Sequence, residues 1–356
     1  MKKIMIATGG SGGHIYPALA FATILKEKEP NCEIVFFGSN NHMEKDLIPE
    51  AGYRFIGETM HGLRGNVVAQ AKAVFSLWKG YRKCITLLKE ERPDACVGFG
   101  NYISVPLLLA AHRLHIPTMI HEQNSYAGKA NHLLGKFVDA IVTSYQTTMS
   151  QFPTEKTRLY GNPEATLAVR DEIDPSLLAS YGIDATKPFI VSMMGSLGSS
   201  SVAKVLDESC EMWNPNYQVL LVVGKQNDYQ FKAHSPHIHI VPFVDGKQVL
   251  KQCALAILRA GATTLCEVTS IGTASILIPS PFVPNNHQVY NAMELVNQKA
   301  ALLIEEKDLT AKRLADEVNA LLEDKQRLED MKANAKALGK ENAAYDMIAW
   351  LKELVK

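Results

Sequence analysis

Short runs of β-branched and aliphatic residues alternate along the whole chain with segments of helical period. In the first half these runs fall near residues 4–7, 33–37, 95–99, 118–121, 140–143 and 158–160. In the second half they fall near 189–194, 218–223, 237–241, 255–258, 275–278 and 301–304. Strands and helices in alternation predict parallel sheets covered on both faces. The pattern restarts midway. The apolar run 189–194 leads into Gly195-Ser196-Leu197-Gly198-Ser199-Ser200-Ser201 and a helix, as the run 4–7 leads into glycines and a helix. Two such openings predict two Rossmann-like domains rather than one large sheet. Residues 161–175, with Pro163 and Pro175 and little periodicity, read as the linker.

The most informative stretch is residues 7–17, Ala-Thr-Gly-Gly-Ser-Gly-Gly-His-Ile-Tyr-Pro. Gly9, Gly10, Gly12 and Gly13 follow the first predicted strand, and Pro17 stands close to the first turn of the next helix. A proline costs little there, because the first N–H groups of a helix have no intrahelical partner. Glycines permit positive φ and close backbone approach. A helix N-terminus with exposed amides favours an anion. His14 sits beside that expected anion site, and an imidazole titrating near neutral pH suits removal of a hydroxyl proton. A capping or packing histidine is the competing reading. A dinucleotide-binding loop needs G-x-G-x-x-G and an acidic residue about 20 positions on. Here the run 33–37 ends in Gly38-Ser39-Asn40, with no carboxylate for a ribose, which argues against a nicotinamide or flavin cofactor.

A chain of 356 residues accommodates two domains. Its 37 Lys and Arg balance 37 Asp and Glu, so no nucleic-acid partner is expected. No apolar run reaches the ~18 residues of a membrane span, and the N-terminal run is too short for a secretory leader. The six cysteines form no Cys-x-x-Cys pair, so neither zinc nor a redox dithiol is signalled. They read as buried free thiols of a reducing compartment.

Further motifs stand near the ends of the predicted strands. They are Gly98-Phe99-Gly100-Asn101-Tyr102-Ile103-Ser104-Val105-Pro106, His121-Glu122-Gln123-Asn124 and Gly161-Asn162-Pro163. Beyond the second glycine loop come Arg259-Ala260-Gly261-Ala262 running to Glu267, then His287-Gln288 with Asn291. In this order, and over nearly the whole chain, they resemble the MurG family. Its members are peripheral-membrane glycosyltransferases that add N-acetylglucosamine to lipid I in peptidoglycan synthesis. The resemblance implies an α/β fold of GT-B architecture, two Rossmann-like domains facing an interdomain cleft. It implies an acceptor and membrane-associating domain over residues 1–163, with helix 341–356 packing back onto it. Residues 164–340 would form the UDP-N-acetylglucosamine domain.

The resemblance also implies roles. His14 is the first candidate for the catalytic base and Glu122 the second, Glu122 being better suited to orient its neighbours or the acceptor. Ser11, Gly12, Gly13 and Asn124 would contact the donor from the first domain. Ser196, Phe243, Ala262, Thr263, Glu267 and Gln288 would contact it from the second. Glu267 suits two ribose hydroxyls, Gln288 the sugar hydroxyls, and Phe243 the border of the uracil. Gly10, Gly100 and Tyr102 would face the acceptor. Arg259 suits either the nucleotide end of the pocket or a structural ion pair. No Asp-x-Asp motif appears, so no metal or cofactor is required, a helix dipole takes the metal's role, and a divalent cation would at most stimulate.

Some positions depart from the family pattern. Ser11 stands where many members carry threonine, and the hydroxyl is kept. Asn101 replaces a glycine, and asparagine tolerates left-handed φ. Glu164 and Ala165 follow Gly-Asn-Pro where valine and arginine are common, which puts that arginine's contact in doubt. His287 replaces a glutamine. Residues 67–83 set Val67, Val68, Val74, Phe75, Leu77, Trp78 and Tyr81 among Lys72, Lys79, Arg82 and Lys83. That mixture suits a helix lying on anionic lipid, here the cytoplasmic face of the cell membrane; a core helix with a solvated basic face is the plainer reading. The implied partners are UDP-N-acetylglucosamine, lipid I, the membrane surface and other cell-wall synthesis proteins. Two alternatives share these motifs: another UDP-sugar transferase of the same architecture, and a sugar-nucleotide-binding paralogue without turnover.

Overall fold

The computed structural model describes residues 1–62, 66–170, 172–195, 199–224 and 229–356. The chain divides into two compact units, Met1–Leu167 with Lys340–Lys356, and Ala168–Gly339. The division falls four residues beyond the position 163 expected from the sequence, inside the helix Glu164–Arg170. Residues 161–175, read above as a linker, therefore carry a helix.

In the first unit β1 (Lys3–Ala7), β2 (Glu33–Ser39), β3 (Arg54–Glu58), β4 (Ala95–Gly98), β5 (Thr118–Glu122), β6 (Ala140–Thr143) and β7 (Thr157–Leu159) form one sheet. Its order is β3-β2-β1-β4-β5-β6-β7, and every pairing is parallel. The register sets Ala7 beside both Phe37 and Gly98, so β1 and β4 end side by side. The strand order reverses between these two, which opens a crevice beyond their carboxyl ends. β3 escaped the sequence reading: Arg-Phe-Ile-Gly-Glu is a short edge strand interrupted by Gly57.

One face of this sheet is covered by the first helix, Gly12–Lys28, and the last, Ala343–Leu354. Ile15, Ala18, Phe21 and Leu25 share a core with Ala344, Met347, Ile348 and Leu351. The other face packs against Cys84, Leu88, Leu107 and Leu108, from the long helix Val67–Glu91 and from Ser104–Arg113. The first helix begins at Gly12, so Pro17 lies inside it rather than at its start. The Gly13 carbonyl there has no N–H to accept from Pro17.

The second unit repeats the plan. β8 (Phe189–Met193), β9 (Gln218–Val222), β10 (Ile238–Val241), β11 (Leu255–Leu258), β12 (Ser275–Leu277) and β13 (Leu302–Leu303) form a parallel sheet. Its order is β10-β9-β8-β11-β12-β13, with the switch point between β8 and β11. Among the described residues no helix is long and apolar enough to cross a membrane. All six cysteines are free, and burial pushes the Cys210 and Cys253 thiols up to about 12, so both stay protonated.

Candidate active site

The first glycine loop leaves β1 at the switch point. Gly10 takes φ +87°, while Gly12 and Gly13 already belong to the helix. The loop holds an anion of its own. Glu44, wholly buried, accepts the Gly10 amide through Oε2 and the Ser39 amide through Oε1, each at 3.0 Å. A carboxylate does return to the end of β2, but it binds backbone N–H groups. The Gly10 amide is thus engaged within the protein. Gly12 and Gly13 open the helix, at the end where unpaired N–H groups favour an anion, beside exposed Ser11.

The second glycine loop leaves β4 alongside. Gly100 has φ +81° and Asn101 φ +67°, so asparagine holds the left-handed turn that a glycine would otherwise take. Asn101 Nδ2 donates to the Gly9 carbonyl at 3.0 Å and ties the two loops together. His14 bridges them as well: its Nδ1 lies 2.8 Å from the Phe99 carbonyl and 2.6 Å from the Gln123 side-chain amide. A Cβ on Gly100 would stand 2.9 Å from His14 Nδ1, so the glycine gives the imidazole its room. Tyr102 lies half-buried on the same loop with its hydroxyl 3.1 Å from His42 Nε2.

The polar motif at the end of β5 separates into distinct tasks. His121 is fully buried with Nε2 3.0 Å from the Gly161 carbonyl, and burial pulls its pKa down to about 4. It is a neutral packing histidine. Glu122 is also buried, and both oxygens are engaged. Oε1 accepts from the Asn124 backbone and side-chain N–H groups at 3.0 and 3.2 Å. Oε2 accepts from Gly128 N at 3.0 Å and Asn131 Nδ2 at 2.9 Å. A carboxylate so occupied holds its neighbours and is a poor proton acceptor for a substrate. The geometry therefore shows Glu122 orienting its neighbours.

In the second unit Gly195 takes φ +85° after β8, and Ser196 lies outside the described residues. Arg259, at the end of β11, donates to Glu306 Oε2 at 2.8 Å, the Ile278 carbonyl at 3.0 Å and Ser199 Oγ at 2.8 Å. Arg259 thus makes the ion pair with Glu306. The helix Ala262–Ile271 opens next, with Gly261 at its N-cap and no acidic side chain in its first turn. Ala262 and Thr263 stand at its anion-favouring end. Glu267, half-buried, follows Thr263 by four residues and so shares its face one turn on. Gln288 Oε1 accepts the Ser280 amide at 2.8 Å, which fixes where its NH2 group points. His287 Nδ1 lies 2.8 Å from the Pro284 carbonyl, and Asn291 Nδ2 reaches the Ala260 carbonyl at 3.4 Å. Phe243 follows β10 and is 58% exposed.

The structure thus gathers His14, Gly100, Glu122 and Asn124 at one sheet edge, and Ala262, Thr263 and Glu267 on one helix of the other unit. Glu44, Asn131 and Glu306 did not emerge from the sequence. Among the described residues no group of three His, Cys, Asp or Glu is placed to hold a metal ion.

Residues 4–143 match the glycosyltransferase family 28 N-terminal domain, and residues 189–348 match its C-terminal domain. A UDP-N-acetylglucosamine--N-acetylmuramyl-(pentapeptide) pyrophosphoryl-undecaprenol N-acetylglucosamine transferase of Pediococcus pentosaceus is 36% identical, covering 99% of this chain and 100% of the relative. The transferase of the same name from Lactiplantibacillus plantarum is 37% identical with the same coverage. The crystal structure of Acinetobacter baumannii MurG superposes with a TM-score of 0.80 at 25% identity, over 99% of this chain and 100% of that one. The chain belongs to the MurG family of glycosyltransferases. For a MurG-family chain, the paired glycine loops and the buried Glu122 cluster sit on the N-terminal family domain, and the Glu267 helix on the C-terminal one.

Proposed function

We propose that this chain transfers N-acetylglucosamine from UDP-N-acetylglucosamine to the 4-hydroxyl of lipid I, the undecaprenyl-pyrophosphoryl N-acetylmuramyl-pentapeptide, with inversion, giving lipid II. The reading is carried by similarity over 99% of the chain to two transferases whose names state that donor and acceptor. The acceptor oxygen attacks the anomeric carbon as the bond from that carbon to the diphosphate oxygen breaks. His14 Nε2 takes the hydroxyl proton, and UDP leaves with the electron pair. The N-terminus of Ala262–Ile271 faces the diphosphate with preorganised N–H groups, Thr263 among them. Glu267 holds the ribose, Gln288 the sugar hydroxyls, and Phe243 borders the uracil. Asn124, fixed by Glu122, reaches the donor sugar, and Gly12 and Gly13 offer their amides beside Ser11. Gly100 and Tyr102 line the acceptor side.

The long helix Val67–Glu91 supports a membrane role. Its Leu77 and Tyr81 pack inward, while Val67, Val68, Val74, Phe75 and Trp78 are exposed. Phe75 stacks on Trp78 at 5.9 Å, and Arg82 lies over the Trp78 ring. Lys72, Lys79 and Arg82 flank this apolar stripe. In our reading that face rests on anionic lipid of the cytoplasmic leaflet, where the lipid-linked acceptor resides.

The deciding assay is transfer of labelled N-acetylglucosamine to a short-chain lipid I analogue by wild type and His14→Ala. Transfer by wild type with a loss of at least ~10²-fold in the variant supports both reaction and base. Binding of UDP-N-acetylglucosamine without transfer would refute the acceptor assignment.

A further inference from the structure

The Phe99 carbonyl and the Gln123 side chain both lie beside His14 Nδ1, and they constrain each other. The Phe99 carbonyl, 2.8 Å away, can only accept, so Nδ1 carries a proton. The Gln123 amide is 2.6 Å from the same nitrogen with its Nε2 turned towards it. A second N–H cannot donate to a nitrogen whose lone pair already holds a proton. Gln123 is 3% exposed, and its Oε1 is buried with no hydrogen-bond partner among the described residues. The two ends of a carboxamide have the same shape, so the hydrogen-bond chemistry decides which faces the imidazole. With the amide turned, Oε1 accepts the Nδ1–H alongside the Phe99 carbonyl. The present orientation satisfies neither end of the amide, so the turn relieves the donor–donor conflict and gives the oxygen a donor.

We infer that Gln123 is a positioning residue for His14: its side-chain oxygen and the Phe99 carbonyl together hold the imidazole as the Nδ1–H tautomer and present Nε2 as the proton acceptor. The inference deepens the proposed function and rests on its reading of His14 as the base. When Nε2 takes the substrate proton, the imidazolium keeps both oxygens as acceptors for Nδ1–H. Gln123 then acts as a neutral counterpart of the orienting carboxylate found behind many catalytic histidines. The titratable groups on neighbouring elements are His121 and Glu122 on β5 and Glu44 beneath the first loop. His121 is held neutral by burial, Glu122 is engaged by four N–H groups, and Glu44 by two. None of them takes over the Nδ1 contact.

The experiment follows the side-chain 15N signals of His14 against pH in wild type, Gln123→Glu and Gln123→Met, with the pH profile of kcat/KM for transfer to the short-chain lipid I analogue. In wild type the neutral imidazole shows protonated Nδ1 and unprotonated Nε2. The carboxylate of Gln123→Glu raises the His14 pKa by about one unit or more and moves the acid limb of the profile equally. Gln123→Met lowers that pKa and reduces kcat at least ~10-fold at pH 7.5, while KM for UDP-N-acetylglucosamine stays within about twofold. An Nε2–H tautomer in wild type, or a His14 pKa unmoved in both variants, overturns the inference. A His14 pKa that moves without the acid limb supports the positioning and overturns the reading of His14 as the base.

Discussion

Glu44 accepts the Gly10 amide hydrogen at 3.0 Å from a position with no solvent exposure. It binds Ser39 in the same way, so one carboxylate fastens the glycine loop to the end of β2. Glu44→Gln keeps the volume but turns an NH2 group towards one of the two backbone donors. An unsatisfied buried donor costs about 1–3 kcal/mol. Thermal denaturation should show a lower Tm for the variant, together with a fall in transfer activity. Equal melting temperatures would contradict the fastening role.

Gly100→Ala places a methyl group 2.9 Å from His14 Nδ1 and 3.0 Å from its Cε1. The imidazole has to move, and a misplacement of about 1 Å at a reacting group costs roughly 10²-fold in rate. Gly52→Ala is the control, with φ +83° against +81° and nothing within 4 Å of the added carbon. Both variants carry the same backbone strain. Steady-state kinetics should show kcat lost in Gly100→Ala and retained in Gly52→Ala.

Glu122→Gln separates holding from proton transfer. Its carboxylate serves four N–H donors, and an amide satisfies only one end of that set. Activity should fall about tenfold or more through a loosened Asn124, while the acid limb of the kcat/KM profile stays in place. Disappearance of that limb would make Glu122 the base.

His121 couples folding to pH. Its folded pKa of about 4 lies below its ordinary value of 6.5 because burial penalises the imidazolium. The unfolded chain therefore binds more protons than the folded one between those values, and stability rises with pH across that window. The contribution is fully present above about pH 6.5 and is lost as pH falls towards 4, a total of about 3 kcal/mol. Urea unfolding from pH 7.5 to 4.5 should show this slope, and a folded His121→Gln variant should flatten it.

The exposed face of Val67–Glu91 should bind anionic vesicles more tightly than zwitterionic ones. Lys79→Glu or Arg82→Glu should weaken that binding at least about fivefold, since each basic residue near such a surface contributes about 1 kcal/mol. Phe75→Ser with Trp78→Ser should weaken binding to both vesicle types. Sedimentation with liposomes at two salt concentrations separates the contributions, because only the electrostatic part is screened.

The two switch points were legible because each strand–glycine–helix opening is a local pattern. A short apolar run, glycines and helical periodicity lie within about twenty residues of sequence. The tolerance of asparagine for positive φ likewise anticipated the turn at Asn101. Glu44 was not legible, because its partners Gly10 and Ser39 come from two different strand ends and its own surroundings look like an ordinary helix start. The same holds for Arg259, whose partner Glu306 is 47 residues away, and for the His14–Gln123 contact across 109 residues. Pairings of that kind arise from the order of strands in the sheet, which periodicity does not encode. β3 was missed for a different reason: five residues with a glycine at an edge carry too little alternation to stand out.

The helix Ala343–Leu354 completes the core of the first unit although it is the last element along the chain. During synthesis, the sheet formed by residues 3–159 must wait for the whole second unit to emerge before Met347, Ile348 and Leu351 can seal it against the first helix. The second unit, continuous in sequence from 168 to 339, is under no such delay. The half of the molecule made first is therefore the half whose core is completed by the last helix along the chain, and until residues 343–354 are made the flank they cover stays exposed.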